Sequence, residues 1–128
     1  MRVQRIDHVV LTVTDLERTI AFYLRVLGMT AISFGDGRRG LAFGDQKLNL
    51  HQAGREFDPK ARKPTPGAID VCFTTDIPLE EVAAHLRKES IEIEHGPVHK
   101  VGARRALRSL YFRDPDGNLI EIANEVDA

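Results

Sequence analysis

The sequence predicts an α+β fold built from two tandem β-α-β-β-β modules. In each half, a β-branched strand precedes an amphipathic helical segment, and three short apolar segments follow it. The halves also align at a shift of about 62 residues, which places His8 on Asp70. We assign the first module to residues 1–52, a connecting arm to 53–67 and the second module to 68–128 of one domain.

The first module begins with a strand over residues 6–13, which are mostly β-branched and apolar. Thr14 and Glu17 have the spacing of a capping box, and Gly28 supplies a left-handed stop, so a helix is expected between them. Apolar residues recur at helical spacing within it: Leu16, Ile20, Leu24 and Leu27. From residue 29 to 52, three apolar segments separated by Gly/Asp turns predict three antiparallel strands.

The second module repeats this order after the arm, whose three prolines and mixed charge indicate a connection. The composition of residues 68–75 predicts a strand. A helical stripe follows, entered through Asp76 and Pro78 and formed by Leu79, Val82, Ala83 and Leu86.

Three more strands complete the second module. Residues 91–95 alternate strictly between apolar and polar side chains, which predicts the first of them. The second is expected over 105–112, after a loop that contains glycine and proline. The last, over 118–124, follows the turn sequence of residues 114–117.

Charge and cysteine content exclude several classes of protein. The 18 Lys and Arg residues nearly balance 19 Asp and Glu residues, so the net charge of -1 gives no general attraction to nucleic acid or to anionic membranes. A single cysteine, Cys72, excludes an internal disulfide and suits a reducing compartment. The first residues lack the apolar region of a signal peptide. We therefore expect a cytoplasmic domain with neither a nucleic-acid nor a membrane partner.

A polar set gathers on one face of the predicted strands. Side chains alternate across a strand, so residue parity assigns each one to a face, and the apolar faces are expected to pack on the helices. The other face collects metal-capable and acid/base-capable groups: His8, Asn49, His51, Asp70 and Glu121. Two imidazoles with one or two carboxylates suit Fe(II), Mn(II), Ni(II) or Zn(II).

Several roles within this set stay open from the residues alone. His51 is favoured over Asn49 as a donor, because an amide oxygen is a poor ligand for a transition metal. Asp70 is interpreted as a fourth ligand, a partner that orients an imidazole, or a solvated carboxylate. For any one of these residues, an ordinary polar sheet face is an equally good interpretation.

Other side chains point toward the same face. Cys72 is expected to fill space in a pocket rather than attack a substrate. Tyr111 is expected to face the cavity, in parity with Ser109 and Arg113. A basic segment around Gly102 is interpreted as a solvated loop, with an anion-binding rim as the alternative; it comprises Lys100, Arg104, Arg105 and Arg108.

Three stretches carry a family resemblance: IDHVVLTVTDLERTIAFYLRVLGM, LAFGDQKLNLHQ and SLYFRDPDGNLIEIAN. Together they resemble the vicinal oxygen chelate superfamily, which includes glyoxalase I, bleomycin resistance proteins, fosfomycin resistance proteins and extradiol dioxygenases. Within it, the chain is most similar to the glyoxalase domain-containing protein 5 type.

The resemblance implies that the two modules form a curved, partly open, barrel-like mixed sheet around a cavity, usually in a homodimer. It also implies a divalent metal held from the first and last strand of each module. His8 matches the first-strand histidine and Glu121 the last-strand glutamate. Asp70 stands where catalytic relatives have a second histidine, and Asn49, with His51 nearby, stands where glyoxalase I has a glutamate.

These implications define an expected function. We expect a divalent-metal-dependent lyase, isomerase or dioxygenase acting on a small oxygenated substrate, with His8, His51 and Glu121 as ligands. Glu121 or Asp70 would move a proton, and a second group would contact the substrate: Asn49, Cys72, Tyr111 and Arg113. The alternatives are a metal-free module that sequesters a drug-like molecule and a structural dimerisation domain.

Overall fold

The computed structural model describes residues 1–127. The chain divides into two compact units, Met1–Pro66 and Gly67–Ala128. Nearly the whole arm predicted over 53–67 therefore belongs to the first unit.

The first unit is a four-stranded mixed sheet with one helix. Its elements are β1 (His8–Val13), α1 (Leu16–Leu27), β2 (Thr30–Phe34), β3 (Arg38–Phe43) and β4 (Gln46–Gln52). The strand order is β1-β4-β3-β2. β1 pairs with β4 in parallel, and the other neighbours are antiparallel. The predicted elements of this module are all present.

Helix α1 differs from the prediction at its start. Asp15, not Thr14, is the N-cap residue, and its side chain accepts a hydrogen bond from the Arg18 N–H at 3.1 Å. The predicted capping box is therefore wrong by one residue, because Thr and Asp are both good caps and both precede the apolar run. Gly28 ends the helix with a φ of 65°, as expected.

The buried face of α1 is also rotated from the predicted stripe. It consists of Thr19, Ile20, Phe22, Tyr23 and Val26. Leu24, which the periodicity placed inside, is 39% exposed. Two overlapping apolar stripes fit this sequence, and the one that carries the bulky Tyr23 packs on the sheet.

The second unit repeats the architecture of the first. Its elements are β5 (Asp70–Thr74), α2 (Leu79–Lys88), β6 (His95–Val101), β7 (Ala106–Arg113) and β8 (Leu119–Val126). The strand order, β5-β8-β7-β6, is the order of the first sheet. The prediction of a duplicated β-α-β-β-β unit in an α+β fold is confirmed.

Strand β6 corrects the sequence prediction. Of the alternating residues 91–95, the first four are not in a strand; β6 begins at His95 and continues through Gly96 and Pro97. The Ile91 N–H instead bonds to the Leu86 carbonyl at the end of α2. A proline is tolerated because β6 is an edge strand with an irregular register between His95 and Val98.

Each sheet buries its helix-facing side in a core of its own unit. The second unit illustrates this, since Leu79 and Leu86 of α2 and Leu110, Phe112 and Ile120 of the sheet are almost fully buried. The opposite side of each sheet carries the polar candidates. Neither helix of residues 1–127 is long and apolar enough to cross a membrane.

Candidate functional site

Glu121 is the centre of the polar face of the second unit. It lies opposite Cys72 across the parallel β5–β8 pair. It also lies opposite Tyr111 across the antiparallel β7–β8 pair. Directly paired residues point to the same side of a sheet, so the carboxylate stands between a thiol and a phenol.

A third neighbour holds the carboxylate in place. The Ser109 hydroxyl donates a hydrogen bond of 2.6 Å to Glu121 Oε2. Ser109 is 0% exposed, so no water competes for this bond. Parity placed Ser109 on this face, but no signal in the sequence identified the pairing, because it depends on a rotamer rather than on a spacing.

The thiol and the phenol both stay protonated at neutral pH. Burial, followed by the negative charge of Glu121, raises the pKa of Cys72 to about 12 and that of Tyr111 to about 12. A protonated thiol is a poor nucleophile. The side chains of Cys72 and Tyr111 beside Glu121 are therefore both uncharged.

These three side chains line a cavity of about 510 Å³. Its rim is the turn from the end of β6 to the start of β7, residues 100–105. Among the residues described, neither Asp70 nor Arg113 lines this cavity. Arg113 is instead bound to the Glu94 carboxylate at 2.9 and 3.1 Å, and to the Gly117 carbonyl.

Polar candidates of the first unit also share one face. Val10 pairs with Asn49 and Thr12 with His51 in the parallel β1–β4 ladder, while His8 pairs with Lys47. His8 and His51 are therefore four residues apart along paired strands, about 14 Å between Cα atoms. Two imidazoles at that separation on one sheet face do not reach a common ion.

The side chain of His51 is buried and packs against an aromatic ring of the first unit. It is 5% exposed and meets the Phe57 ring edge-on, with 5.7 Å between ring centroids. The Arg38 guanidinium covers the same phenyl ring at 4.7 Å. Burial, and then the positive charge of Arg38, lowers the pKa of His51, so the imidazole is neutral at neutral pH.

Asn49 has an unused acceptor. The residue is only 6% exposed, and its side-chain Oδ1 has no hydrogen-bond partner. An unpaired buried acceptor costs about 1–3 kcal/mol. Asn49 lies two residues along from the position opposite His8, about 8 Å between Cα atoms. It is therefore nearer to His8 than His51 is.

Metal donors are distributed between the units. Across residues 1–127, no three His, Cys, Asp or Glu side chains form a group that could hold a metal ion. The first unit offers His8, whose Nδ1 is 2.8 Å from Asp7 Oδ2 and whose side chain is partly exposed. The second unit offers Glu121. The donor types suit a divalent metal, while the three-ligand set of His8, His51 and Glu121 is not assembled within either unit.

Comparison with known proteins gives consistent results. Residues 5–122 match the family profile described as the Glyoxalase/Bleomycin resistance protein/Dioxygenase superfamily. Virulence protein STM3117 of Salmonella typhimurium is 51% identical over 126 residues, which are 98% of this chain and 88% of that protein. Its crystal structure superposes with a TM-score of 0.96 and covers 98% of this chain and 100% of that one.

Two further relatives extend the comparison. Glyoxalase domain-containing protein RDO1 of Mycosarcoma maydis is 46% identical over 128 residues, 100% of this chain and 72% of that protein. Lactoylglutathione lyase from Agrobacterium tumefaciens has 25% sequence identity and a TM-score of 0.74, covering 97% of this chain and 96% of that one.

Proposed function

Because the chain belongs to the glyoxalase/bleomycin resistance protein/dioxygenase superfamily, we propose that it is an enzyme acting on a small oxygenated molecule in the cavity of the second unit. The observation that carries this proposal is the arrangement around Glu121. One carboxylate there is anchored by a fully buried hydroxyl and flanked by a protonated phenol and a protonated thiol.

The arrangement suits proton transfer. The Cys72 thiol and the Tyr111 phenol keep their protons, which leaves the carboxylate of Glu121 to accept one, so we assign it the role of general base. Ser109 positions the carboxylate through Oε2. Tyr111 donates to substrate oxygen, where negative charge develops as the proton leaves. This chemistry is that of an isomerase or a lyase.

A divalent metal, Fe, Mn, Ni or Zn, is part of the proposal. His8 in the first unit and Glu121 in the second unit are each proposed as a protein donor to the metal. In the first unit, the Oδ1 of Asn49 is proposed to bind a hydroxyl or a water molecule. The ion would bind adjacent oxygens of the substrate and stabilise the negative charge on them. His51 is left out because of its distance from His8 and its packing against Phe57.

A substrate screen with controlled metal content tests this function. Candidate substrates are the methylglyoxal–glutathione hemithioacetal, catechols and fosfomycin. We expect protein purified without chelator to contain about one divalent ion per chain, and we expect His8→Ala to remove it. Failure of the native protein to take up any divalent metal in calorimetry would refute the metal requirement.

A second candidate function is a metal-free module that sequesters a small molecule in the same cavity. It is favoured by the finding that no three metal-capable side chains are grouped in the described part of the chain. Ligand binding that persists in excess chelator, with no turnover of any substrate in the screen, would select this function over the enzyme.

A further inference from the structure

The rim of the cavity in the second unit has a fixed shape. The Gly102 N–H bonds to the Arg105 carbonyl at 2.9 Å and closes a tight turn. A Cβ at residue 102 would lie 2.5 Å from that carbonyl oxygen, so only glycine allows the turn. The turn therefore holds Arg104 and Arg105 at the mouth of the cavity.

Cations on this rim are only partly neutralised. Arg104 makes a two-pronged ion pair with Glu125, at 3.0 and 3.3 Å. Within residues 1–127, Lys100 and Arg105 make no ion pair; the Lys100 ammonium lies 5.7 Å from the centre of the Tyr111 ring. Two positive charges at the mouth are thus available to a ligand.

The charge of the whole lining indicates the charge of that ligand. Three cationic side chains face two carboxylates, Glu121 and Glu125, so one positive charge is left over. The excess favours an anionic group, and a carboxylate pairs with both an ammonium and a guanidinium. Val101, which is 96% exposed, and the side chain of Leu107 add apolar surface beside the cations.

We propose that the substrate of this cavity carries a carboxylate, which Lys100 and Arg105 bind at the rim while the reacting end lies against Tyr111 and Glu121. The inference rests on the proposed function and names the substrate class for the same cavity. It also revises the basic segment around Gly102 from a solvated loop to a recognition element. A carboxylate between an ammonium and a guanidinium accepts charge-assisted hydrogen bonds from both.

Salicylate and salicylamide are matched probes for this proposal, because they differ only in the charge of one group. We expect salicylate to bind at least tenfold more tightly than salicylamide in calorimetry at low ionic strength. Lys100→Gln and Arg105→Gln should each weaken salicylate binding about threefold to tenfold, and the double variant should abolish the preference. Lys88→Gln, at the exposed end of α2, is the charge-matched control and should bind salicylate as the wild type does.

Two results would overturn the proposal. One is equal affinity of the wild type for both probes, and the other is an undiminished preference in the double variant with a native circular dichroism spectrum. Glu121→Gln separates this inference from the proposed function. If that variant keeps full turnover and still prefers salicylate, the base assignment fails and the carboxylate site stands. If it loses turnover while the wild type shows no preference, the carboxylate site fails alone.

Discussion

At the scale of single residues, the buried side chain of Asn49 lowers the stability of the fold. Asn49 lies on β4, the strand that pairs with the strand of His8. Its Oδ1 is buried without a partner, whereas the buried Asn118 uses its side chain fully. Asn118 Oδ1 accepts from the Ile69 N–H at 2.9 Å, and its Nδ2 donates to Asp114 at 2.8 Å. From this contrast we propose that Asn49 contributes to ligand binding rather than to the fold.

Replacing Asn49 by leucine, which has nearly the same shape, tests this interpretation. We expect Asn49→Leu to raise the free energy of unfolding by about 1 kcal/mol, because an unpaired buried acceptor is removed. Ligand binding or turnover should fall at least tenfold. Urea denaturation and a binding assay provide the two measurements. The control is Asn118→Leu, which should lower stability by about 2 kcal/mol, and an equal loss in both variants would show that Asn49 is structural.

His51 provides a pH dependence at the same scale. Its pKa is lowered in the folded protein from an unfolded value of 6.5, so the unfolded chain takes up the proton first as the pH falls. Stability should therefore be highest above pH 6.5 and decrease as the pH falls below it. Urea midpoints between pH 5 and 8 should show this loss in the wild type and a smaller loss in His51→Gln.

The exposed His99 is the matched control for that experiment. His99→Gln should keep the pH profile of the wild type. If both variants follow the wild-type profile, His51 titrates normally, and its burial under Phe57 does not affect its protonation.

The alternation of side chains along a strand predicted which side of the sheet each candidate residue occupies. It did not predict which side chains they contact. Tyr111, Cys72 and Glu121 share a face in the structure as parity required. Which side chains touch was not predictable, since Arg113 reaches sideways to Glu94 rather than inward. Long side chains choose partners by rotamer and charge, which strand periodicity does not encode.

At the scale of secondary-structure elements, the sequence predictions were wrong at the start of helix α1 and at the edge strand β6. The Thr14–Glu17 spacing indicated one cap, and Asp15 provides the actual one. The regular alternation of residues 91–95 indicated a strand over that segment, whereas β6 begins only at His95 and continues through Gly96 and Pro97. Local sequence patterns predict the type of an element better than its boundaries, because tertiary contacts determine where a strand begins to pair with its neighbour.

The cap of α1 gives a prediction at this scale. Asp15→Ala should lower the free energy of unfolding by about 1 kcal/mol, because the Arg18 N–H loses its acceptor. Thr14→Ala should have a smaller effect in the same urea titration. A larger loss in Thr14→Ala would restore the capping box that the sequence suggested.

At the scale of the whole molecule, the sequence predicted the duplicated β-α-β-β-β unit because both halves repeat the same order of elements.

The assembly of the chain is a separate question. We propose a homodimer, as the family resemblance implies. The edge strand β1 supports it, since Val9 and Val10 are 42% and 41% exposed. Unpaired, apolar edge strands are surfaces that proteins usually cover.

Light scattering after size-exclusion chromatography tests the assembly. We expect twice the mass of one chain for the wild type. Val9→Lys should shift the population toward the mass of a single chain, because a charge would be desolvated at the covered edge. A wild-type protein with the mass of one chain at micromolar concentration would contradict the homodimer.

We propose above all that Glu121 is the base of the reaction and that Ser109 holds it in position. The most direct test is the kcat and KM of Glu121→Gln and Ser109→Ala on the substrate that the screen identifies. We predict that Glu121→Gln, assayed at the same metal content as the wild type, lowers kcat by a factor of about 10³ with little change in KM, and that Ser109→Ala lowers kcat by a smaller factor. Retention of wild-type kcat in folded Glu121→Gln would contradict the claim.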